Sequence, residues 1–342
     1  MKKLRVLHLT HPDLVPPDSL DGHSEAEVNV FKTDFDVVST LRGLGHEVQS
    51  LGVEDELRPI RSAIRAFKPD VVFNLLEEFA GLPELDQHVA AYLELLRVPY
   101  TGCNPRGLVL ARGKALAKKL MAYHRIKTPA FATFRIGRKV RVPKHLPFPC
   151  IVKSLIEESS MGISQASICD TEEKLVERVS FVHEKIGTDA LAEEYIAGRE
   201  LYQGVLGNDR LTTLPVWEMM FENLPPGAEP IATEKVKHDL EYQKRRGITH
   251  GPAEGLSEGL DARISRTSKR IYRILGLDGY GRVDYRLRDD GQLFFLEANP
   301  NPEIAQCEEL ASSAEEAGIP YPKLLQRLVN LGLQRGTGKS GT

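Results

Sequence analysis

Short apolar runs alternate with stretches of helical period through the first third of the chain. Arg5–Leu9 reads as a strand, its short apolar run broken by His8. From about Val28 to Leu44 the apolar positions recur at helical spacing, and Gly45 supplies a C-cap. A strand follows at Glu47–Leu51, a helix near Glu56–Phe67 and a strand at Val71–Asn74. The helix Glu84–Arg97 then leads into a short strand, Pro99–Thr101. Repeated strand–helix–strand order predicts a mostly parallel, three-layer α/β domain over residues 1–110. Ligands of such sheets sit beyond the carboxyl ends of the strands, which puts loops 10–27 and 75–82 beside a site.

The run Gly102-Cys103-Asn104-Pro105-Arg106-Gly107 marks a boundary. A second region, 111–190, opens on a helix containing Lys114–Tyr123 and continues through a strand at Phe131–Phe134. The Pro- and basic-rich connection Arg138–Pro149 leads to a strand at Cys150–Ser154, a polar loop, a strand at Ser164–Ile168 and a helix near Glu172–Ile186. A third region, 191–334, holds a strand at Leu191–Tyr195, the segment Glu200–Leu206, a long loop over 222–260, a helix at Ala262–Leu275, a hairpin and a final helix over about Tyr321–Leu333. The class is α/β, turning to α+β in the C-terminal half. Residues 335–342 read as a disordered tail. Their Gly-Lys-Ser imitates a P-loop, but Leu333 stands where its first glycine belongs, and neither strand nor helix frames it.

Polar chemistry concentrates in the hairpin, Gly281 to Glu303. Asp290-Gly291 is a type I′ turn signal. With a two-residue loop, Asp289 pairs with Gln292, Asp284 faces Glu297 and Arg282 faces Asn299. Side chains repeat every second residue, so Arg282, Asp284, Glu297 and Asn299 share one face, and Val283, Tyr285 and Leu287 turn toward packing. Facing carboxylates repel unless positive charge lies between them. Two acids and an amide oxygen are hard ligands suited to Mg²⁺ holding substrate phosphates. The plain alternative is a surface hairpin with solvated charges. The stiff polar continuation Ala298-Asn299-Pro300-Asn301-Pro302 after the apolar run Leu293–Leu296 favours ligands held at a sheet rim.

Three weaker signals point to a nucleotide. Lys153 ends a strand and precedes a loop containing Ser159, Ser160 and Gly162, a lysine and donors suited to phosphate. Alone, it reads equally well as a hairpin loop. Glu193, Glu194 and Glu200 bracket a short strand–turn whose acids suit ribose hydroxyls or an exocyclic amine, the alternative being an exposed turn. Lys114 opens a helix and can reach an anion, although most lone lysines are only solvated.

Bulk properties narrow the classes. At 342 residues, with 41% hydrophobic and 27% charged positions, the chain has the make-up of an ordinary globular protein of two or three domains. A net charge of −3 with scattered basic residues argues against a nucleic-acid partner. Four cysteines with no close spacing give neither a zinc site nor a disulfide framework, so a cytoplasmic location is expected. No apolar run reaches membrane-spanning length, and no membrane partner is expected.

Taken in order, Lys153 with Ser-Ser-Met-Gly, then Glu193-Glu194-Tyr195-Ile196-Ala197-Gly198-Arg199-Glu200, then Arg282-Val283-Asp284, then Leu296-Glu297-Ala298-Asn299 resemble the ATP-grasp enzymes. The chain most resembles their D-alanine–D-alanine ligase branch, from about Leu4 to Leu333. The resemblance implies a two-lobed ATP-grasp fold after the N-terminal domain. It implies that Lys114 and Lys153 hold the α- and β-phosphates, with Ser160 and Gly162 in the loop closing over the triphosphate. Glu193 would accept from the adenine amino group, the backbone of Glu194 and Ile196 would read the base, and Glu200 would bind the ribose hydroxyls. Asp284, Glu297 and Asn299 would carry two Mg²⁺ ions, with Mn²⁺ as the alternative metal. Arg282 would stabilise developing negative charge, and Lys237, favoured over Lys235, would reach the γ-phosphate from a mobile loop.

The implied reaction joins small-molecule carboxylate and amine substrates, an amino acid or peptide among them, through an acyl phosphate, with a homodimer common in the family. The ATP half matches the family pattern better than the substrate half. His11–Asp18 replaces a Gly-Gly-x-Ser loop, Leu75-Leu76-Glu77-Glu78 replaces a His-Gly segment, and Asn299-Pro300-Asn301-Pro302-Glu303 replaces Asn-Thr-x-Pro-Gly. Glu303 beside the amine subsite would favour a cationic or amino-acid acceptor. The other classes are a different ATP-grasp ligation or kinase-type phosphoryl transfer, and a catalytically silent nucleotide-binding module.

Overall fold

Three sheets carry the molecule in a computed structural model that describes residues 2–156 and 160–337. Ser159 and the P-loop imitation beyond Thr337 lie outside the described residues. In the first sheet β1 (Arg5–Thr10) is the central strand. It precedes α1 (Glu25–Gly43) and is flanked in parallel by β2 (Glu47–Gly52) and, after α2 (Arg58–Phe67), by β3 (Val71–Asn74). Val6, Leu7 and Val71 to Phe73 are fully buried, as strands covered on both faces require. Ser24 and Glu27 form a capping box that starts α1 before the first apolar position at which sequence periodicity placed it. Two expectations here need correction. Glu84–Arg97 is a 3₁₀ turn at Pro83–Leu85 followed by α3 (Asp86–Leu95), and Pro99–Thr101 makes only one bridge, Tyr100 to Val72. The chain turns at once through Gly102, whose φ is +90° and which lies against the side chain of Asn301.

The second sheet follows α4 (Pro105–Arg112) and α5 (Lys114–Tyr123). It comprises β4 (Phe131–Phe134), β5 (Cys150–Ser154), β6 (Ile168–Cys169) and, beyond α6 (Glu172–Phe181), β7 (Ala190–Glu194), in the antiparallel order β4-β7-β5-β6. Leu175 and Val179 of α6 pack on Cys150 and Val152. Most of the expected strand Ser164–Ile168 is a 3₁₀ turn, because Ser164 and Ser167 satisfy each other's backbone amides.

The third sheet runs β10-β9-β8-β11-β12, all antiparallel. Its strands are β8 (Arg199–Leu206), β9 (Thr212–Phe221), β10 (Ile248–Pro252), β11 (Tyr280–Leu287) and β12 (Leu293–Pro300). The expected loop over 222–260 contains α7 (Glu234–His238), α8 (Leu240–Arg246) and β10. Thr233 and Asp239 cap the two short helices, and Gly247 ends the second in the left-handed region. The helices α9 (Leu260–Ile274), α10 (Glu309–Glu316) and α11 (Tyr321–Thr337) complete the chain, the last outrunning the expected stop at Leu333. No helix among the described residues is long and apolar enough to cross a membrane.

Candidate active site

The β11–β12 hairpin sets Asp284 opposite Glu297 and Arg282 opposite Asn299. The turn itself differs from the two-residue loop expected. Arg288, not Asp289, bonds to Gln292, and Gly291 at φ +77° closes a three-residue loop. A register shift beside Asp284 compensates, since Tyr285 pairs with Phe295 and Leu296 is left outside the ladder. The bulge thus restores the facing acids. Val283 and Tyr285 are fully buried on the other face of β11, each side chain worth about 1.5–3 kcal/mol of burial.

The carbonyl freed at Leu296 accepts a hydrogen bond from the Lys118 ammonium at 2.7 Å. Lys118, on α5, is fully buried and also pairs with Glu193 of β7 at 2.8 Å. Lys153 of β5 reaches the other oxygen of Glu193 at 2.7 Å. Burial would raise the Glu193 carboxyl, but the two lysines outweigh it and hold it below its ordinary value. Burial lowers Lys118, whereas Glu193 and Glu297 carry Lys153 above its usual range despite burial. One carboxylate therefore bridges two ammonium groups and ties α5, both sheets and the bulge together.

Charge is divided unevenly between the two facing acids. Burial pushes Asp284 up to about 6 against the opposing Arg282 guanidinium, and the Glu297 charge adds to the rise. Burial acts on Glu297 too, but Lys153, Lys114, Lys237 and Arg282 bring it down to about 2. Arg282 grips both Asp284 oxygens at 2.8 and 2.9 Å and reaches Glu309 at 2.7 Å, while Asn299 donates its amide N–H to Asp284 at 2.8 Å. That orientation leaves the Asn299 oxygen as an acceptor. Among the described residues no cluster of three or more His, Cys, Asp or Glu side chains forms a self-sufficient metal cage. Two carboxylates and one amide oxygen fit instead a hard cation that completes its shell with phosphate oxygens and water.

These residues border one cleft with two lobes that share Lys237 and Glu297. Lys114, Lys153, Ser160, Glu193, Asp284 and Glu297 line the inner lobe. Glu194, Ile196 and Glu200 line it too. Arg282 and Asn299 face the outer lobe, about 580 Å³ in volume, with Glu77, Glu303, Glu308 and Glu309. Lys237 borders both lobes, while Lys235 is exposed on α7. Gly162 stands outside both linings, and its N–H donates to Glu234 at 2.8 Å. Glu303 accepts from the Thr33 hydroxyl and from the Ile304 and Ala305 amides, the latter at 3.2 and 3.3 Å.

Four residues of the site escaped the sequence reading. Lys118 stands four positions after Lys114 on one helix face, a spacing that signals a shared target. Arg286 continues the alternation of Arg282 and Asp284 along β11. His250 and Glu309, 2.9 Å apart, come from β10 and α10, and no spacing along the chain links them to Arg282.

A lysine-rich cleft beside an acid–amide rim, bordered by a four-stranded and a five-stranded antiparallel sheet, defines an ATP-grasp carboxylate–amine ligase. The sequence profile described as D-ala D-ala ligase C-terminus matches residues 119–330. The D-alanine–D-alanine ligase of Desulfotalea psychrophila is 31% identical over 82% of this chain and 84% of its own length. That of Aquifex aeolicus is 30% identical over 90% and 96%, respectively. The fold also matches the crystal structure of D-alanine–D-alanine ligase from Bacillus anthracis complexed with ATP, with a TM-score of 0.73 at 22% identity over 98% of this chain and 99% of that one. The chain belongs to the D-alanine–D-alanine ligase family.

Proposed function

We propose that this ligase activates a small carboxylate as its acyl phosphate, with ADP leaving, and transfers the acyl group to the amine of an amino acid or peptide, with phosphate leaving as the amide forms. D-alanine is the substrate in the names of its relatives, and it is the first pair to assay. The observation that carries this reading is the single cleft in which Lys153 and Lys114 meet the facing Asp284 and Glu297, with Arg282 and Asn299 opening onto the second lobe. ATP and a divalent metal are the family's requirements. Mg²⁺, two ions of it, belongs to the proposal, and Asp284, Glu297 and Asn299 would hold it. Bound there, the metal supplies positive charge to the triphosphate.

The chain's own residues do the rest. Lys114 and Lys153 hold the α- and β-phosphates, and Ser160 and Gly162 belong to the loop that covers them. Glu193 faces the adenine amine through the fixed position its two lysines give it. The backbone of Glu194 and Ile196 reads the base, and Glu200 takes the ribose hydroxyls. Lys237 reaches the γ-phosphate as the substrate carboxylate attacks it. Arg282, held as a guanidinium between Asp284 and Glu309, stabilises the negative charge of the tetrahedral adduct formed when the amine attacks. Closed loops keep water from hydrolysing the acyl phosphate. The domain division 1–110, 111–190 and 191–334, a homodimer through the first domain and a cytoplasmic location complete the reading, the last supported by four cysteines that form no disulfide.

Substrate-dependent ADP release across a panel of amino acids, with mass detection of the product, tests the ligation. Hydroxylamine should trap the acyl phosphate as a hydroxamate. Glu297→Ala is expected to lose at least about a hundredfold in turnover while keeping its fold. Undiminished turnover in that variant would refute the mechanism.

A further inference from the structure

Arg286 lies on the same face of β11 as Arg282 and Asp284, lines the inner lobe with Glu200 and Ile196, and is only 3% exposed. Every nitrogen of its guanidinium is engaged. Nε donates to the carbonyl of Ile196 at 2.9 Å, and one terminal nitrogen donates to Glu200 at 3.1 Å and to the carbonyl of Pro230 at 3.0 Å. The other terminal nitrogen donates to the Tyr195 hydroxyl at 3.1 Å, and that hydroxyl donates onward to Glu229 at 2.9 Å. The second Glu200 oxygen accepts from the Tyr202 hydroxyl at 2.7 Å. A carboxylate offers about four acceptor positions. Glu200 commits two of them to Arg286 and Tyr202, which leaves two for groups in the lobe it lines.

A planar fork can hold a carboxylate and two carbonyls from different segments at once, which a point-charge ammonium cannot. Two free acceptor positions on a fixed carboxylate match the two hydroxyl donors of a ribose 2′,3′-diol. We propose that Arg286 is a positioning residue that makes the nucleotide site selective for a ribonucleotide, by fixing Glu200 so that both sugar hydroxyls donate to it. The inference rests on the reading above that Glu200 receives the ribose. A site built to hydrogen-bond a hydroxyl discriminates strongly against an analogue lacking it, because its buried acceptor is then left unpaired.

Calorimetric titration of the full-length chain with Mg·ATP and with Mg·2′-deoxy-ATP tests this without a second substrate. The unmodified chain should bind ATP at least about tenfold tighter than the deoxy analogue. Arg286→Met should weaken ATP clearly more than the analogue, which keeps only its 3′-hydroxyl for Glu200, bringing the ratio to within about twofold. Arg286→Lys should fall between, since its charge reaches Glu200 without also holding the Ile196 and Pro230 carbonyls. Equal weakening of both nucleotides in the Met variant would reveal a merely structural role and overturn the proposal. If the Met variant does not fold, an unchanged ratio in the Lys variant overturns it. Equal binding of both nucleotides by the unmodified chain sinks the role of Arg286 alone, whereas binding of neither sinks the ligase reading itself.

Discussion

Arg282 shows how much of the site rests on single residues. It holds Asp284, reaches Glu309 and lies over the Tyr202 ring at 4.9 Å, so one guanidinium is fixed from three sides. Burial would raise the Glu309 carboxyl, but Arg282, His250 and Lys237 bring it down to about 2. A depressed folded value contributes stability above the unfolded value of 4.5, and the contribution is lost as pH falls toward about 2. A shift of that size corresponds to about 3 kcal/mol at neutral pH. Glu309→Gln should therefore lose on the order of 2–3 kcal/mol at pH 7, and roughly half of that difference should remain at pH 3. Urea unfolding of both proteins at the two pH values measures it, and a pH-independent difference would exclude the ion pair as the cause. Arg282 and Asp284 were legible in the sequence because strand alternation puts them on one face. Glu309 and His250 were not, because packing of α10 against the sheet brings them there.

At the scale of elements, the hairpin was read correctly for an incomplete reason. Asp290-Gly291 suggested a two-residue turn, yet the loop has three residues and the bulge at Leu296 absorbs the extra one. The count from the turn to the acids survives because the two irregularities cancel. A bulge leaves no compositional mark here, and its partner Lys118 lies 178 positions away. The loop over 222–260 was illegible for a related reason: α7, α8 and β10 are too short for periodicity and depend on caps and on pairing with β9. Lys118 is the testable joint of these elements. Replacing it by Met leaves the Leu296 carbonyl without its donor but leaves Glu193 its second lysine. The loss should therefore stay below the roughly 3–5 kcal/mol of an orphaned buried charge, at about 2–3 kcal/mol. Chemical denaturation of Lys118→Met measures this, and a change within about 0.5 kcal/mol would show that the bulge holds without its clamp.

For the whole molecule, the cleft is the place where α5, the second sheet and the third sheet meet, so a ligand there ties separately built parts together. The three sheets succeed one another along the chain, but β7, which the sequence pattern places at the start of the third region, pairs with β4 and β5 and so closes the second sheet, leaving β8 to open the third. The alternation of strands and helices puts loop 75–82 beside a site, and Leu75, Leu76 and Glu77 line the outer lobe; what it could not supply was the share of α1, β12 and the segment leading to α10. A ligand that binds only the native state stabilises it by mass action, by about 2.7 kcal/mol at a hundredfold excess over Kd. A non-hydrolysable ATP analogue with Mg²⁺ should accordingly raise the melting temperature by several degrees, in one transition rather than two, if the nucleotide bridges both sheets. Chelating the metal should remove most of that shift, because Asp284 and Glu297 then face the triphosphate with no cation between them. Glu297→Gln should respond weakly to the metal and still respond to the nucleotide, since Lys114 and Lys153 remain. A full metal-dependent shift in that variant would place the metal elsewhere, and a split transition would mean that the nucleotide grips only one lobe.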